Sequence, residues 1–358
     1  MKISVLVPSV RPDVLPFAIR SILRQTWQEW ELIVIAQGTY TALEATLAEV
    51  AQGDPRVRAV RMAELGVSRA RNMGLTHIDG DIVAMMDDDC EAQEDWLSVL
   101  AEIFASRPDI GMVSGALIPP KVKYGRIWFC PTVEIPEVLY DPMLPPYHPP
   151  PGWKFVTANL AVRRDIALCA GPFDPYLGAG GCFCAGEDPD WGMRLERMGV
   201  KMLTTPRSVV HHTYGVRYGL EAVMRIKRGY ARGNGALAAK LTLMGSPAGR
   251  KWLAQNRREC LLEPLLNPRL VHRLYSLYFF EKAYRECLSD FYVDENCLLQ
   301  PRSMKSISPQ RLSSRSLVNN TVSPLIASSN EAELRGENKS DASVMPAKEG
   351  ATVQEAKS

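Results

Sequence analysis

Three consecutive carboxylates, Asp87-Asp88-Asp89, close the apolar run DIVAMM at 81–86. Adjacent carboxylates repel one another, and a fold tolerates them where a cation neutralises them or water solvates them. Hard divalent cations take carboxylate oxygens and bridge them to phosphates, so the triad points to a metal and a phosphate ester; a solvated turn after a strand is the plainer alternative. A second acidic group, Glu187, Asp188 and Asp190, follows a run of glycines in GAGGCFCAGEDPDWGMRLERMGVK (178–201) and opens an amphipathic helix. A carboxylate so placed can take the proton from an attacking hydroxyl. Acid in a first helical turn also suits the helix dipole, which accounts for Asp190 by itself. Arg69 and Arg71 precede the triad in GVSRARNMGLTHI, and planar guanidinium groups can grip two phosphate oxygens at once; an arginine pair facing water is the alternative. Two adjacent histidines, His211 and His212, follow an apolar run in VVHHTYG, where a structural role is the commoner one.

These residues need a frame to bring them together. ISVLVP (3–8) reads as a strand buried on both faces, LPFAIRSILRQT as a helix with Leu15, Ile19, Ile22 and Leu23 on one face, and ELIVIAQG (31–38) as a second buried strand. The alternation continues through helix TALEATLAEVAQ, strand VRAVRM, the arginine segment, strand 81–89, helix EDWLSVLAEIFAS and strand IGMVSGAL. Strands alternating with helices predict a doubly wound, mostly parallel α/β sheet, with ligands at the carboxyl ends of the strands. Pro8, Gly38 and Asp87–Asp89 fall at those ends. Residues 119–152, rich in proline and aromatics, predict a long excursion or lid; 216–290 reads as wholly helical. Beyond residue 300, Ser, Asn, Glu, Lys and Ala dominate, which predicts a disordered tail. The expected division is 1–215 for the catalytic domain, 216–299 for a helical C-terminal region and 300–358 for the tail.

SVLVPSVRPDVLPFAIRSILRQTWQEWELIVIAQG resembles the opening of glycosyltransferase family 2, with Ser21, Gln25 and Glu31 at that family's usual positions. GVSRARNMGLTHIDGDIVAMMDDD resembles its approach to an Asp-x-Asp motif. The resemblance covers roughly residues 3–235 and implies the GT-A form of the Rossmann-like sheet, with a C-terminal helical extension. It implies an inverting transfer from a nucleoside-diphosphate-sugar to a glycan or lipid-linked acceptor, as in surface polysaccharide or glycolipid synthesis, with Mn2+ or Mg2+ as cofactor. Carried onto this chain, it makes Asp89 the direct metal ligand, puts Asp87 nearer the ribose or the metal's water shell, and has His212 complete the metal site or touch the diphosphate. Pro8, Ser9, Arg11, Gln37, Arg69, Arg71, Asn72, Asp87 and Asp88 bind donor. Thr157 and Asn159, in FVTANLAVRRD, contact the donor sugar. Asp188 is the general base, with Glu187 beside it on the acceptor. One departure stands out: the family's second strand usually ends Asp-Asp-Gly-Ser, whereas this chain has Ala36-Gln37-Gly38-Thr39. Gln37 could still pair with a base edge, and thymidine or guanosine donors stay open beside uridine.

Composition adds mainly exclusions. The 358 residues carry a net charge of +2, 46% hydrophobic and 23% charged residues, an ordinary globular balance with no call for nucleic acid. The eight cysteines show no C-x-x-C pair and read as small buried hydrophobes in a reducing cytoplasm. The start MKISVLVPSV has none of the marks of a signal peptide, and no window reaches a spanning length of apolar residues. The expectation is a cytoplasmic protein. In 216–285 cations outnumber carboxylates and interleave with Tyr, Phe, Leu and Trp, a pattern suited to peripheral contact with the anionic inner face of the plasma membrane or to a helical cap exposing its charges. Two rival functions remain: a sugar nucleotidyltransferase, which PSVRPD does not favour because it lacks a Gly-rich phosphate loop, and a degenerate scaffold that binds nucleotide or glycan without turnover.

Overall fold

A computed structural model describes residues 1–38, 40–120, 127–150, 153–262 and 268–303. In chain order its strands are β1 (Ile3–Ser9), β2 (Trp30–Gln37), β3 (Val57–Met62), β4 (Ile82–Met85), β5 (Glu91–Ala92), β6 (Met112–Ile118), β7 (Trp128–Phe129), β8 (Val138–Tyr140), β9 (Leu160–Arg163), β10 (Met202–His211), β11 (Arg217–Tyr218), β12 (Phe291–Val293) and β13 (Leu299–Pro301). The helices are α1 (Leu15–Leu23), α2 (Tyr40–Ala51), α3 (Val67–Leu75), α4 (Trp96–Ser106), α5 (Arg164–Cys169), α6 (Glu187–Arg197), α7 (Gly219–Leu243), α8 (Pro247–Leu262) and α9 (Pro268–Asp290).

The main sheet runs β3-β2-β1-β4-β9-β6-β10, with β5 and β8 both paired to β10. β1, β2, β3 and β4 are mutually parallel neighbours, and β6 is parallel to β10. The mostly parallel α/β sheet expected from the alternation is therefore present, with reversals that were not foreseen: β5 and β8 pair antiparallel with β10, and a third reversed strand lies inside the sheet. β9 lies antiparallel between β4 and β6. Its reversal brings its amino end to the sheet edge where its neighbours have their carboxyl ends, so the 3-10 turn Thr157–Asn159 opens onto the same edge as Asp87–Asp89.

Alternation along the buried strands sorts the core into two layers. Ile3, Val5 and Val7 of β1 pack with α1 and α4 on one face, and Leu6, Ile33 and Ile35 pack with Trp191 and Leu195 of α6 on the other. A third cluster joins Leu177 and Phe183 to α7, α9, Phe291 and Leu299.

Several boundaries differ from expectation. β4 ends at Met85, so the three aspartates occupy the turn beyond it. β1 pairs with β4 only as far as Leu6↔Met85, so Pro8, which has no N–H to give a ladder, falls beyond that pairing. The stretch 119–152 carries two short strands, β7 and β8, and β11 precedes the helices of the C-terminal region. The expected tail lies outside the described residues from 304 onward. Among the eight free cysteines five are buried, while Cys169 and Cys184 are exposed and Cys297 is intermediate, so the buried-hydrophobe reading holds for five.

Candidate functional site

The Asp87–Asp89 turn splits its carboxylates between two networks. Asp88 accepts from Ser9 Oγ at 2.7 Å and from Arg11 Nε at 3.3 Å, with a second, shorter bond from the same guanidinium. Asp89 faces Arg11 at 3.2 Å, His212 Nε2 at 3.2 Å and Arg217 at 3.7 Å. Burial pushes the carboxyl of Asp89 up, but Arg11, His212 and Arg217 outweigh it and hold it well below the usual carboxylate range. At Asp88 burial prevails over Arg11 and the carboxyl is raised. The third carboxylate turns the other way: Asp87 accepts from Arg71 at 3.1 Å.

Arg71 is buried in α3 and is the hinge of the site. The same guanidinium reaches Glu187 at 3.5 Å and Asp188 at 3.4 Å, so the two acidic groups singled out in the sequence share one cation. Burial opposes its charge, yet Asp188, Asp87 and Glu187 together raise its pKa. Glu187 is pushed up to about 7, by burial first and by the Asp188 charge second.

α6 presents Asp188 for local reasons. Gly186 caps it with φ of 99°, in the left-handed region that glycine enters without a Cβ clash. Pro189 is tolerated within the first turn, and Trp191 and Leu195, one turn apart, bury the helix against the sheet. The indole of Trp191 stacks on Phe173 at 4.6 Å and donates to the carbonyl of Gly171 at 3.0 Å. Asp188 then accepts from the N–H of Thr157 at 3.2 Å and from its hydroxyl at 2.5 Å. With Arg71 on the same carboxylate, about one of its four or so lone-pair positions is left to receive a proton.

His212 and Asp89 meet a physical test for a cation. His212 Nδ1 lies 2.7 Å from the carbonyl of Pro131, which can only accept, so Nδ1 carries the hydrogen. Nε2 therefore faces Asp89 Oδ1 either as an imidazolium N–H or as a lone pair sharing a positive ion with the carboxylate. In the protein by itself the first holds: burial works against the charge, but Asp89 outweighs it and raises the His212 pKa well above its ordinary value. One carboxylate and one imidazole suit Mn2+ or Mg2+ with water and phosphate filling the other positions. Cys90 Sγ lies in the same cluster, 3.8 Å from Asp89 Oδ1, but a thiol is soft and burial raises this one further from its thiolate. Asp87, expected to share the metal, stands apart from that cluster and is held by Arg71.

Four expected donor contacts are placed differently. Asn159 is buried and fully engaged: it accepts from Trp96 Nε1 at 2.9 Å and Ser208 Oγ at 3.1 Å, and donates to the carbonyls of Ala116 at 2.7 Å and Ser208 at 3.0 Å. It locks the turn that carries Thr157, so its expected sugar contact is corrected to a structural one. Asn72 exchanges a reciprocal pair with the backbone of Phe173, at 2.9 and 2.7 Å. Gln37 is buried and its amide oxygen accepts from Gly66 N at 2.8 Å, fixing the start of α3. Arg69 pairs with Glu64 at 3.2 Å and lies over Tyr176, apart from the Asp89 group. His211 ends β10, and His212, just past it, is the histidine that reaches the site.

Two groups escaped the sequence reading. Arg217, on β11, joins the Asp89 network. Lys240, in the last turn of α7 and fully buried, pairs with Asp174 at 2.8 Å and Asp190 at 2.7 Å, while Asp190 also holds Arg194 at 2.9 Å. Asp190 is thereby explained by two cations and not by the helix dipole alone. A lone lysine inside the apolar run ALAAKL was its only signal.

Residues 4–142 match the profile described as Glycosyl transferase family 2. The chain is 26% identical over 222 residues to a glucosyl-dolichyl phosphate glucuronosyltransferase of Haloferax volcanii, covering 59% of this chain and 69% of that one. It is 30% identical over 100 residues to the glycosyltransferase GlyA of Streptococcus pneumoniae, over 28% of this chain and 14% of that one. A mannosyltransferase of Pyrobaculum calidifontis, solved with GDP-Man and Mn2+, shares the fold with a TM-score of 0.52 at 15% identity, over 81% of this chain and 87% of that one.

Proposed function

The chain belongs to glycosyltransferase family 2, and from that premise we propose that it moves a sugar from a nucleoside-diphosphate-sugar to an acceptor hydroxyl with inversion at the anomeric carbon. The observation that carries this reading is Arg71, one buried side chain that holds Asp87 of the donor turn and Asp188 of the acceptor helix together. The acceptor hydroxyl gives its proton to the free lone pair of Asp188, its oxygen bonds to the anomeric carbon, and the bond from that carbon to the diphosphate oxygen breaks. Arg11 and Arg217, which face Asp89, would offset charge on the departing diphosphate. Asp89 and His212 would hold the divalent cation, which supplies further positive charge to that leaving group. Ser9 orients Asp88, Thr157 orients Asp188, and Glu187, whose pKa is pushed up to about 7, offers the acceptor a hydrogen-bond donor in its protonated form. The acceptor class follows the archaeal relative, whose name gives a dolichyl-phosphate-linked sugar: a lipid-linked or free glycan, met at the inner face of the plasma membrane, in surface polysaccharide or glycolipid synthesis.

The test is nucleoside diphosphate release from UDP-, dTDP- and GDP-sugars with Mn2+ or Mg2+. Asp188→Asn should lower turnover on the order of a thousandfold with little change in nucleotide affinity, and Asp89→Ala should lose both turnover and metal response. Nucleotide binding without turnover, with lipid and glycan acceptors supplied, would identify a binding scaffold instead.

A further inference from the structure

Arg217 belongs to a two-stranded ribbon in which β11 pairs antiparallel with β7, Arg217 opposite Phe129 and Tyr218 opposite Trp128. Side chains alternate across a strand, and the two pairs have different surroundings. Arg217 reaches Asp89 at 3.7 Å, and Phe129 meets Tyr230 of α7 with ring centroids 6.3 Å apart. Trp128 and Tyr218 are instead 40% and 36% exposed, and the residues flanking them, Ile127 and Leu220, are 47% and 62% exposed. The carbonyl of Ile127 accepts from Gly219 N at 2.9 Å, so one hydrogen-bonded piece of backbone carries all four apolar side chains. Lys227 Nζ stands 6.0 Å from the ring of Phe129 and, among the described residues, has no carboxylate partner.

We infer that this ribbon docks the mouth of the site onto the interfacial zone of an anionic lipid bilayer. Contiguous exposed apolar side chains mark an interaction surface. Their types select the partner. Trp and Tyr have an apolar body and a polar tip, which suits the headgroup boundary; Ile127 and Leu220 offer nothing to a sugar face but partition into acyl chains. Lys227 complements lipid phosphate. No helix among the described residues is long and apolar enough to cross a membrane. Docking there brings the mouth of the site, where Arg217 faces Asp89, to the bilayer surface that would carry a headgroup-borne acceptor. The inference rests on the proposed transfer for its use and not for its test, which reads vesicle binding without any sugar transfer.

The full chain would be sedimented with vesicles of equal parts phosphatidylcholine and phosphatidylglycerol, and with phosphatidylcholine alone. Binding to the mixed vesicles is expected. The Trp128→Ser/Tyr218→Ser double variant should bind about tenfold more weakly, and Lys227→Gln about fivefold more weakly on the anionic vesicles only. An unchanged melting temperature and unchanged UDP or GDP binding would show that the double variant is folded. The inference is overturned if the wild type ignores both vesicles or the folded double variant binds as well as the wild type. It is equally overturned if light scattering shows that the patch instead seats a second copy, lost in the double variant.

Discussion

Two buried ion networks flank the start of α6, and they are built differently. Around Lys240 the arrangement is closed. Lys240 is 1% exposed and Asp174 0%, and each oxygen of Asp174 and Asp190 has a partner, with Tyr176 N and Leu299 N completing Asp174. Around Asp89 it is open: His212 Nε2 and Asp89 Oδ1 confront each other across 3.2 Å and share a proton, while Arg11 and Arg217 face the other carboxylate oxygen. A closed network holds shape, since nothing can be added to it and nothing removed without stranding a charge. An open one is ready to exchange its proton for another cation.

The largest effect should come from breaking the closed network. Lys240→Ala leaves two carboxylates buried without their shared cation and should cost about 3–5 kcal/mol of stability by urea denaturation. A folded Lys240→Ala protein of wild-type stability would contradict the closed reading. Glu187 lies between the networks and gives a pH test. Its pKa of about 7 is raised above the ordinary glutamate value of 4.5, so its contribution is fully present below pH 4.5 and is lost as pH rises through 7. With chelator present, the wild type should therefore lose up to about 3 kcal/mol relative to Glu187→Gln between pH 4.5 and pH 8, and parallel stability curves would refute the raised carboxyl. The smallest effect is steric. A Cβ on Gly233 would sit inside contact distance of the Ala185 backbone, so Gly233→Ala should shift the loop into α6, costing about 1–3 kcal/mol and lowering turnover more than nucleotide binding. Equal turnover would show that α7 does not set the position of Asp188.

What could be read beforehand follows from the range of the forces. β1, β2 and β4 are buried on both faces, so their apolar runs announce them, and the repulsion within Asp87–Asp89 marks the turn. β9 is four residues long and its reversed sense is decided by strands distant in sequence, so no local pattern shows it. Asn72 and Asn159 resemble ligand contacts because the family pattern they match does; their partners, backbone atoms for Asn72 and both backbone and side-chain atoms for Asn159, are brought in by folding, and side-chain chemistry alone does not distinguish the two uses. Arg217 and Lys240 became legible only once the ribbon and α7 had been placed. His212 was legible as a candidate, but its tautomer depends on Pro131, in a stretch whose sequence showed only an excursion.

The most direct measurement is calorimetric Mn2+ binding, with UDP or GDP present, at pH 6 and pH 8, in buffers of different ionisation heat. The pair of His212 and Asp89 predicts binding that releases a proton and tightens toward pH 8, by as much as about tenfold per pH unit, and that is lost in Asp89→Ala and weakened in His212→Gln. Mn2+ binding of equal strength in all three proteins, with no proton released, would contradict the account.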